Sequence, residues 1–229
     1  MSLKHASRHA VALCLALAVA ASPAAELALE GSKLVVTGML DGSALPSFAE
    51  QVNSGRVRTI AFEDSMGGNA EVAEAYARLI REKKLVTEAR GQCHAACAYA
   101  FLAGREHRFG RGPGFNALLI PLVRRPSAAE LQAGRWRGDD GPPAAVEAVA
   151  VSVTSPPAAD ARPTTEPAAV APPPREAWQP GQGVVFTSTP TLFGRVYNTY
   201  WCDGSQSTDY TRCERLTDAD PYRLGVLTP

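Results

Sequence analysis

Two turns in the middle of the chain carry the residue types from which an active site can be built. Ser65-Met66-Gly67-Gly68 places paired glycines at the carboxyl end of an apolar run, and Cys93-His94-Ala95-Ala96-Cys97 does the same with a cysteine-bracketed turn. Glycines in such a turn free backbone N–H groups to face an anion or an oxyanion, and a helix that starts there adds its positive end. Gly114-Phe115-Asn116 follows as a third marked segment. Three side chains near these turns are candidates for covalent or proton-transfer chemistry: Ser65, His94 and Cys97. Each has an ordinary alternative. A serine before a glycine turn bonds its own backbone, and a histidine at a turn sits at the surface or caps a helix. A cysteine in a helix's first turn is a stabilised thiolate only if it is not oxidised. Glu106 and His107, inside Arg105-Glu106-His107-Arg108, read as a charged surface turn.

The elements that must position these turns are legible around them. Lys33 to Met39 reads as a strand, and Pro46 to Asn53 as a short helix with Phe48 and Val52 four apart, entered through Ser43 or Ala44 with proline in its first turn. Arg56 to Phe62 is a strand whose continuously apolar end suits a sheet covered by helices. A helix over Asn69 to Lys84 is capped by Asn69, shows Val72, Tyr76, Leu79 and Ile80 on one face, and pairs Glu74 with Arg78. Leu85 to Arg90 is the next strand, and Ala95 to Ala103 the next helix. Strands alternating with helices through short connections predict an α/β fold with βαβ crossovers, and ligands of such sheets gather outside the carboxyl ends of the strands.

The flanks divide the 229 residues into an expected leader (1–24), an α/β domain (25–125), a linker (126–180) and a β-rich tail (181–229). Lys4, His5, Arg8 and His9 precede an apolar run from Ala10 to Ala21, and Ser22-Pro23-Ala24 supplies small residues for cleavage before Ala25-Glu26. That run is shorter than the about 20 residues a membrane span needs, so the expectation is a signal peptide, a periplasmic or secreted protein and no stable span after cleavage. Ala, Pro, Thr and Glu dominate Asp139 to Pro180, a composition that predicts a disordered, partly polyproline linker. Lys plus Arg and Asp plus Glu both number 23, which leaves no electrostatic footprint for nucleic acid. With the leader gone, Cys93, Cys97, Cys202 and Cys213 allow three pairings; the local one, Cys93 with Cys97 and Cys202 with Cys213, brackets two short turns. No second Cys/His pair with zinc-ligand spacing follows Cys93 and Cys97, so neither a metal nor another cofactor is expected.

The order strand, Ser-x-Gly-Gly, helix, strand, Cys-x-x-x-Cys, helix, Ala103-Gly104-Arg105-Glu106-His107-Arg108, Gly114-Phe115-Asn116 resembles the Clp-protease/crotonase superfamily, and within it small exported Clp-protease-like proteins. The likeness covers about Lys33 to Pro121 and implies ββα repeats around a mostly parallel sheet. In the family the third residue of the cysteine turn is a nucleophilic serine, and a histidine base stands in Gly-Phe-His. Here those positions hold Ala95 and Asn116. An alanine offers no nucleophile and an asparagine takes up no proton near neutral pH. Gly67, Gly68 and Ala96 retain the donors of an oxyanion-hole-like cleft. The resemblance therefore implies a pseudoenzyme, a binding or scaffold module for a peptide, a protein or a small acyl ligand. Its alternative is a periplasmic hydrolase, a peptidase or thioesterase, working through a relocated residue such as Ser65, His94 or Cys97. Superfamily members often assemble into rings, so an oligomer is compatible with this reading.

Overall fold

A computed structural model describes residues 24–122, 124–132, 181–206 and 209–229. The expected leader, apart from Ala24, and the Pro/Ala-rich stretch from 133 to 180 lie outside the described residues. The described chain is α/β. Strand β1 (Glu26–Glu30) runs antiparallel to β2 (Lys33–Thr37), then helix α1 (Leu45–Asn53) leads to β3 (Thr59–Ser65), α2 (Ala70–Glu82) to β4 (Val86–His94), and α3 (Ala96–Leu102) to β5 (Glu106–Phe109) and β6 (Asn116–Pro121). After the five-residue helix α4 (Ala128–Gln132), β7 (Gln182–Thr191) and β8 (Gly194–Asp203) form a hairpin, and β9 (Glu214–Arg215) closes the edge. All nine strands make one sheet in the order β1-β2-β3-β4-β6-β7-β8-β9, with β5 beside β4. The pairings from β2 to β6 are parallel, and those of β1 and of β7 to β9 are antiparallel.

Crossovers that advance in one direction, β2 to β3 to β4 to β6, carry their helices onto one face when all have the same hand. Accordingly Phe48 and Val52 of α1, Tyr76 and Ile80 of α2, and Phe101 of α3 share one core with Val36, Ile60, Phe62 and Leu118. The tail completes that core: Val184 and Phe186 of β7, then Leu224 and Val226, are fully buried in it. Each large side chain so buried stabilises by about 1.5–3 kcal/mol. The opposite face carries a charged stripe, in which the nearly buried Glu88 accepts from Lys33 Nζ at 2.6 Å and from Arg108 Nη2 at 2.8 Å. Further along that face, Ala117, Leu119, Val185 and Cys202 form a second small cluster.

Helix α2 is fixed by its sequence as expected: Asn69 Oδ1 accepts from Glu71 N at 2.8 Å, and Ala73, Tyr76, Ala77 and Ile80 face inward. The expected Glu74–Arg78 pair is replaced by a longer reach, with Glu74 taking Arg81 at 2.9 Å and the Tyr99 hydroxyl. Strand β4 runs past Arg90 to His94, because Gly91 takes φ +62° and lets the strand pass Asp64, whose Oδ1 accepts from Gln92 N at 3.0 Å. A Cβ at Gly91 would stand 2.0 Å from that same oxygen. The segment read as a charged surface turn is strand β5 instead. His107 is buried, with Nδ1 2.8 Å from the Val226 carbonyl, and its N–H donates to Thr228 Oγ1 at 2.9 Å. The residues near the C-terminus thus cover the free edge of β5.

Candidate functional site

The two marked turns leave the sheet side by side, because Ser65 and Cys93 are partners in the parallel β3–β4 ladder. At the first, Leu40 N donates to the Gly67 carbonyl at 3.1 Å and Asn69 N to the Leu40 carbonyl at 2.9 Å. These bonds use one glycine carbonyl and leave the N–H groups of Gly67 and Gly68 outside the pairing. Gly68, at φ +142°, passes so close to Leu40 that a Cβ would lie 2.4 Å from its carbonyl oxygen. Only glycine fits there. At the second turn Ala95 has φ 52° and ψ −109°, a conformation that side chains beyond glycine rarely adopt. The strand-to-helix turn that raises a nucleophile above an α/β sheet is strained in the same sense. Here the strained residue carries a methyl group. Its N–H donates to Leu119 O at 3.0 Å, and the Cys93–Cys97 disulfide spans the turn with Cα atoms 5.2 Å apart. Ala96 follows as the first residue of α3, where a backbone N–H has no intrahelical acceptor.

The titratable and nucleophilic groups nearby are accounted for one by one. Cys97 is oxidised, so no thiolate is available in this state. Ser65 is fully buried, and its Oγ has no hydrogen-bond partner. It is not bonding its own backbone. His94 is not a surface residue but buried, and burial depresses its pKa to about 4. Its Nε2 lies 2.8 Å from the Tyr210 hydroxyl, which also donates to Gln92 Oε1 at 3.3 Å. Burial in turn raises the Tyr210 pKa to about 12, so both partners stay neutral from mildly acidic to alkaline pH. Tyr210 belongs to a 3₁₀ turn (Tyr210–Arg212) inside the loop closed by the Cys202–Cys213 disulfide, and Phe115 stacks against its other side with ring centroids 6.2 Å apart.

Asn116 stands back from the Ala95 turn. Its Oδ1 accepts from Gly91 N at 3.0 Å and its Nδ2 donates to Gly110 O at 3.4 Å, which makes it a brace for the break in the β4–β6 edge. The backbone carbonyl of Leu119 meets the elbow instead, three residues and about 10 Å further along β6 at strand rise. Leu119 is buried and apolar. Gly67, Gly68, Ala95 and Ala96 therefore gather at adjacent strand ends, whereas Asn116 joins them only through the strand it anchors. Tyr210, Gln92 and Leu119 were not singled out from the sequence. The spacing of Cys202 and Cys213 places Tyr210 in a closed loop but carries no signal for the face on which that loop docks. No group of three or more His, Cys, Asp or Glu able to hold a metal occurs among the described residues.

No family model and no curated protein matches the chain. Among solved structures it is similar to ClpP1 from Listeria monocytogenes, at 14% identity over 39% of this chain and 56% of that one, with a TM-score of 0.33. It is also similar to a putative enoyl-CoA hydratase from Streptomyces coelicolor A3(2), at 13% identity over 52% of this chain and 53% of that one (TM-score 0.33). Methylmalonyl CoA decarboxylase is matched at 7% identity over 49% and 51% (TM-score 0.32). The chain spans about half the length of these structures. They are Clp-protease and crotonase-type chains, and with TM-scores this low no argument about the site is carried over from them.

Proposed function

We propose that this chain is an exported, catalytically inactive Clp-protease/crotonase-like protein that binds a carbonyl-bearing ligand, a peptide or a small acyl group, at the Gly67, Gly68 and Ala96 turns. One observation supports the reading: Ala95 occupies a strained strand-to-helix elbow, held by a disulfide and a hydrogen bond to Leu119 O. Strain of this kind persists where surrounding structure over-determines it and clusters at functional turns. The elbow lacks a nucleophile, its N–H is taken by a backbone carbonyl, and His94 is tied to Tyr210, so acyl transfer has neither attacking group nor base. What such a turn retains is a set of backbone donors suited to a carbonyl or carboxylate oxygen. Export is supported by the basic, then apolar leader sequence and by two disulfides, which persist in oxidising compartments.

The test joins a covalent probe to a binding titration. Fluorophosphonate and iodoacetamide leave the oxidised protein unlabelled, and Ala95→Ser, a serine without a base, stays unreactive as well. Titration with an N-acetylated tripeptide shifts the backbone amide signals of Gly67, Gly68 and Ala96. Stoichiometric labelling of the native chain at Ser65, His94 or Cys97 would favour the hydrolase and overturn the inactive reading. Amide signals unmoved at millimolar peptide would remove the cleft as a binding site.

A further inference from the structure

The hairpin β7–β8 is longer than the sheet that supports it. Strand β6 pairs with β7 only from Gly183 to Ser188, whereas β7 and β8 continue to pair through Thr189 with Val196, Pro190 with Arg195 and Thr191 with Gly194. Three residues on each strand thus project beyond β6, about 10 Å at strand rise. At the end stand Leu192 and Phe193, 96% and 98% exposed. Two-residue hairpin loops ordinarily use Asn, Asp and Gly, which favour the turn and cost nothing in water. A Leu-Phe pair serves neither the turn nor the core. Apolar residues placed against local preference in this way mark a contact made with something else.

Three features of the arm decide what that contact is. Pro190 has no N–H to offer a further strand on the edge that β6 has left, which works against strand addition by a peptide. Arg195 is the sole charged residue from 182 to 202, and its guanidinium is spent within the protein. Its Nη1 donates to Gly112 O and its Nη2 to Gly114 O, both at 2.6 Å, and it also bonds Ser188. The arm is therefore stapled to the 110–115 loop and carries no acidic group to repel lipid phosphates and no unsatisfied charge to desolvate. Chemistry also grades along it: an apolar tip, half-exposed Val196, then Tyr197 at the base, edge-on to the exposed Tyr222 with hydroxyls 3.3 Å apart. Apolar side chains ending in tyrosines match the profile of a bilayer from its acyl boundary to its headgroups. The exposed Arg111 on the adjoining loop adds positive charge beside the arm.

We propose that the β7–β8 tip is a peripheral membrane-contact element that inserts Leu192 and Phe193 into the interfacial layer of a phospholipid bilayer, independently of any ligand at the Ala95 elbow. The full chain is mixed with vesicles of equal parts phosphatidylcholine and phosphatidylglycerol, and two readouts are taken. In F193W, emission in excess of the parent's shifts to the blue on adding vesicles and is quenched by lipids labelled at shallow acyl positions. In L192S/F193S, flotation gives a partition coefficient lower by on the order of a hundredfold or more, from the loss of two inserted side chains. Far-ultraviolet dichroism and Tm stay unchanged, since neither side chain contacts the core. F193W emission indifferent to vesicles, or equal flotation of L192S/F193S, overturns the proposal. So does F193W emission that shifts without lipid as protein concentration rises, together with a dimer that L192S/F193S dissociates; the tip would then be a protein contact.

Discussion

Ala95 is the residue at which the chemistry and the backbone disagree. Its φ of 52° costs an alanine roughly 1 kcal/mol or more relative to glycine, and nothing in its own side chain returns that cost. Ala95→Gly is therefore expected to raise stability by about 1 kcal/mol, less whatever the unfolded chain gains in freedom from the added glycine. The midpoint of urea unfolding measures it. An unchanged or lower midpoint would mean that the methyl group is needed, and that the elbow is packed rather than vacated. The motif order made this residue visible in the sequence, because the cysteine turn falls after an apolar strand and before a helix. The structural task of Asn116 was not legible, for a physical reason. Its place beside a Gly-Phe pair suggested a position at the cleft, but the pairing of β6 with β4 was not readable, and that register decides which residue meets the turn. It pairs Leu119 with His94, so that the Leu119 carbonyl takes Ala95 N, and gives Asn116 the task of bonding Gly91 N.

At the scale of elements, helices α1 to α3 and strands β2 to β4 were legible because each carries its own periodicity, cap or apolar run. Strand β5 was not: four residues alternating charge with His107 and Phe109 look like a polar turn until the residues after Leu224 cover them. The docking of the disulfide loop was equally silent, since nothing local to Tyr210 announces His94. The burial of His94 makes stability depend on pH. His94 has a folded-state pKa of about 4, below its ordinary 6.5, so the unfolded chain takes up the proton first. The stabilisation is complete above pH 6.5 and is lost as the pH falls toward 4, a loss of up to about 3 kcal/mol. Unfolding free energies between pH 7.5 and 4.5 should fall accordingly, and His94→Gln should flatten that slope while costing some stability at neutral pH. A wild-type slope that His94→Gln leaves intact would place the titrating group elsewhere. Tyr210→Phe, which keeps the ring against Phe115 but removes the hydroxyl, is expected to cost about 1 kcal/mol without changing the slope's sign.

Across the whole molecule, the tail is joined to the sheet by long-range pairing that leaves no trace in sequence periodicity. Val184-Val185-Phe186 is a continuous apolar run that suits a strand, but nothing in it tells that β7 lies along β6 from Gly183 to Ser188. The consequence is cooperative. Val184, Phe186, Leu224 and Val226 are all fully buried in the core that holds Phe48, Phe62 and Tyr76, and Thr228 N donates to His107 O at 2.8 Å on β5, beside β4. Removing residues 181–229 would uncover the backbone of β6 and the edge of β5 together. It would also take four large apolar side chains from the core, at about 1.5–3 kcal/mol each, against a total stability for a domain of this kind of about 5–15 kcal/mol. The fragment ending at residue 180 is therefore expected not to fold: its amide spectrum should lack dispersion, its near-ultraviolet dichroism should be lost, and unfolding by urea should show no cooperative transition. In the full chain, probes at Trp201 and in α2 should report one coincident transition. A truncated fragment with a sharp transition and dispersed amides would show instead that α1 to α3 and β1 to β6 close their core alone, and that the hairpin with its exposed Leu192–Phe193 tip is an appended arm.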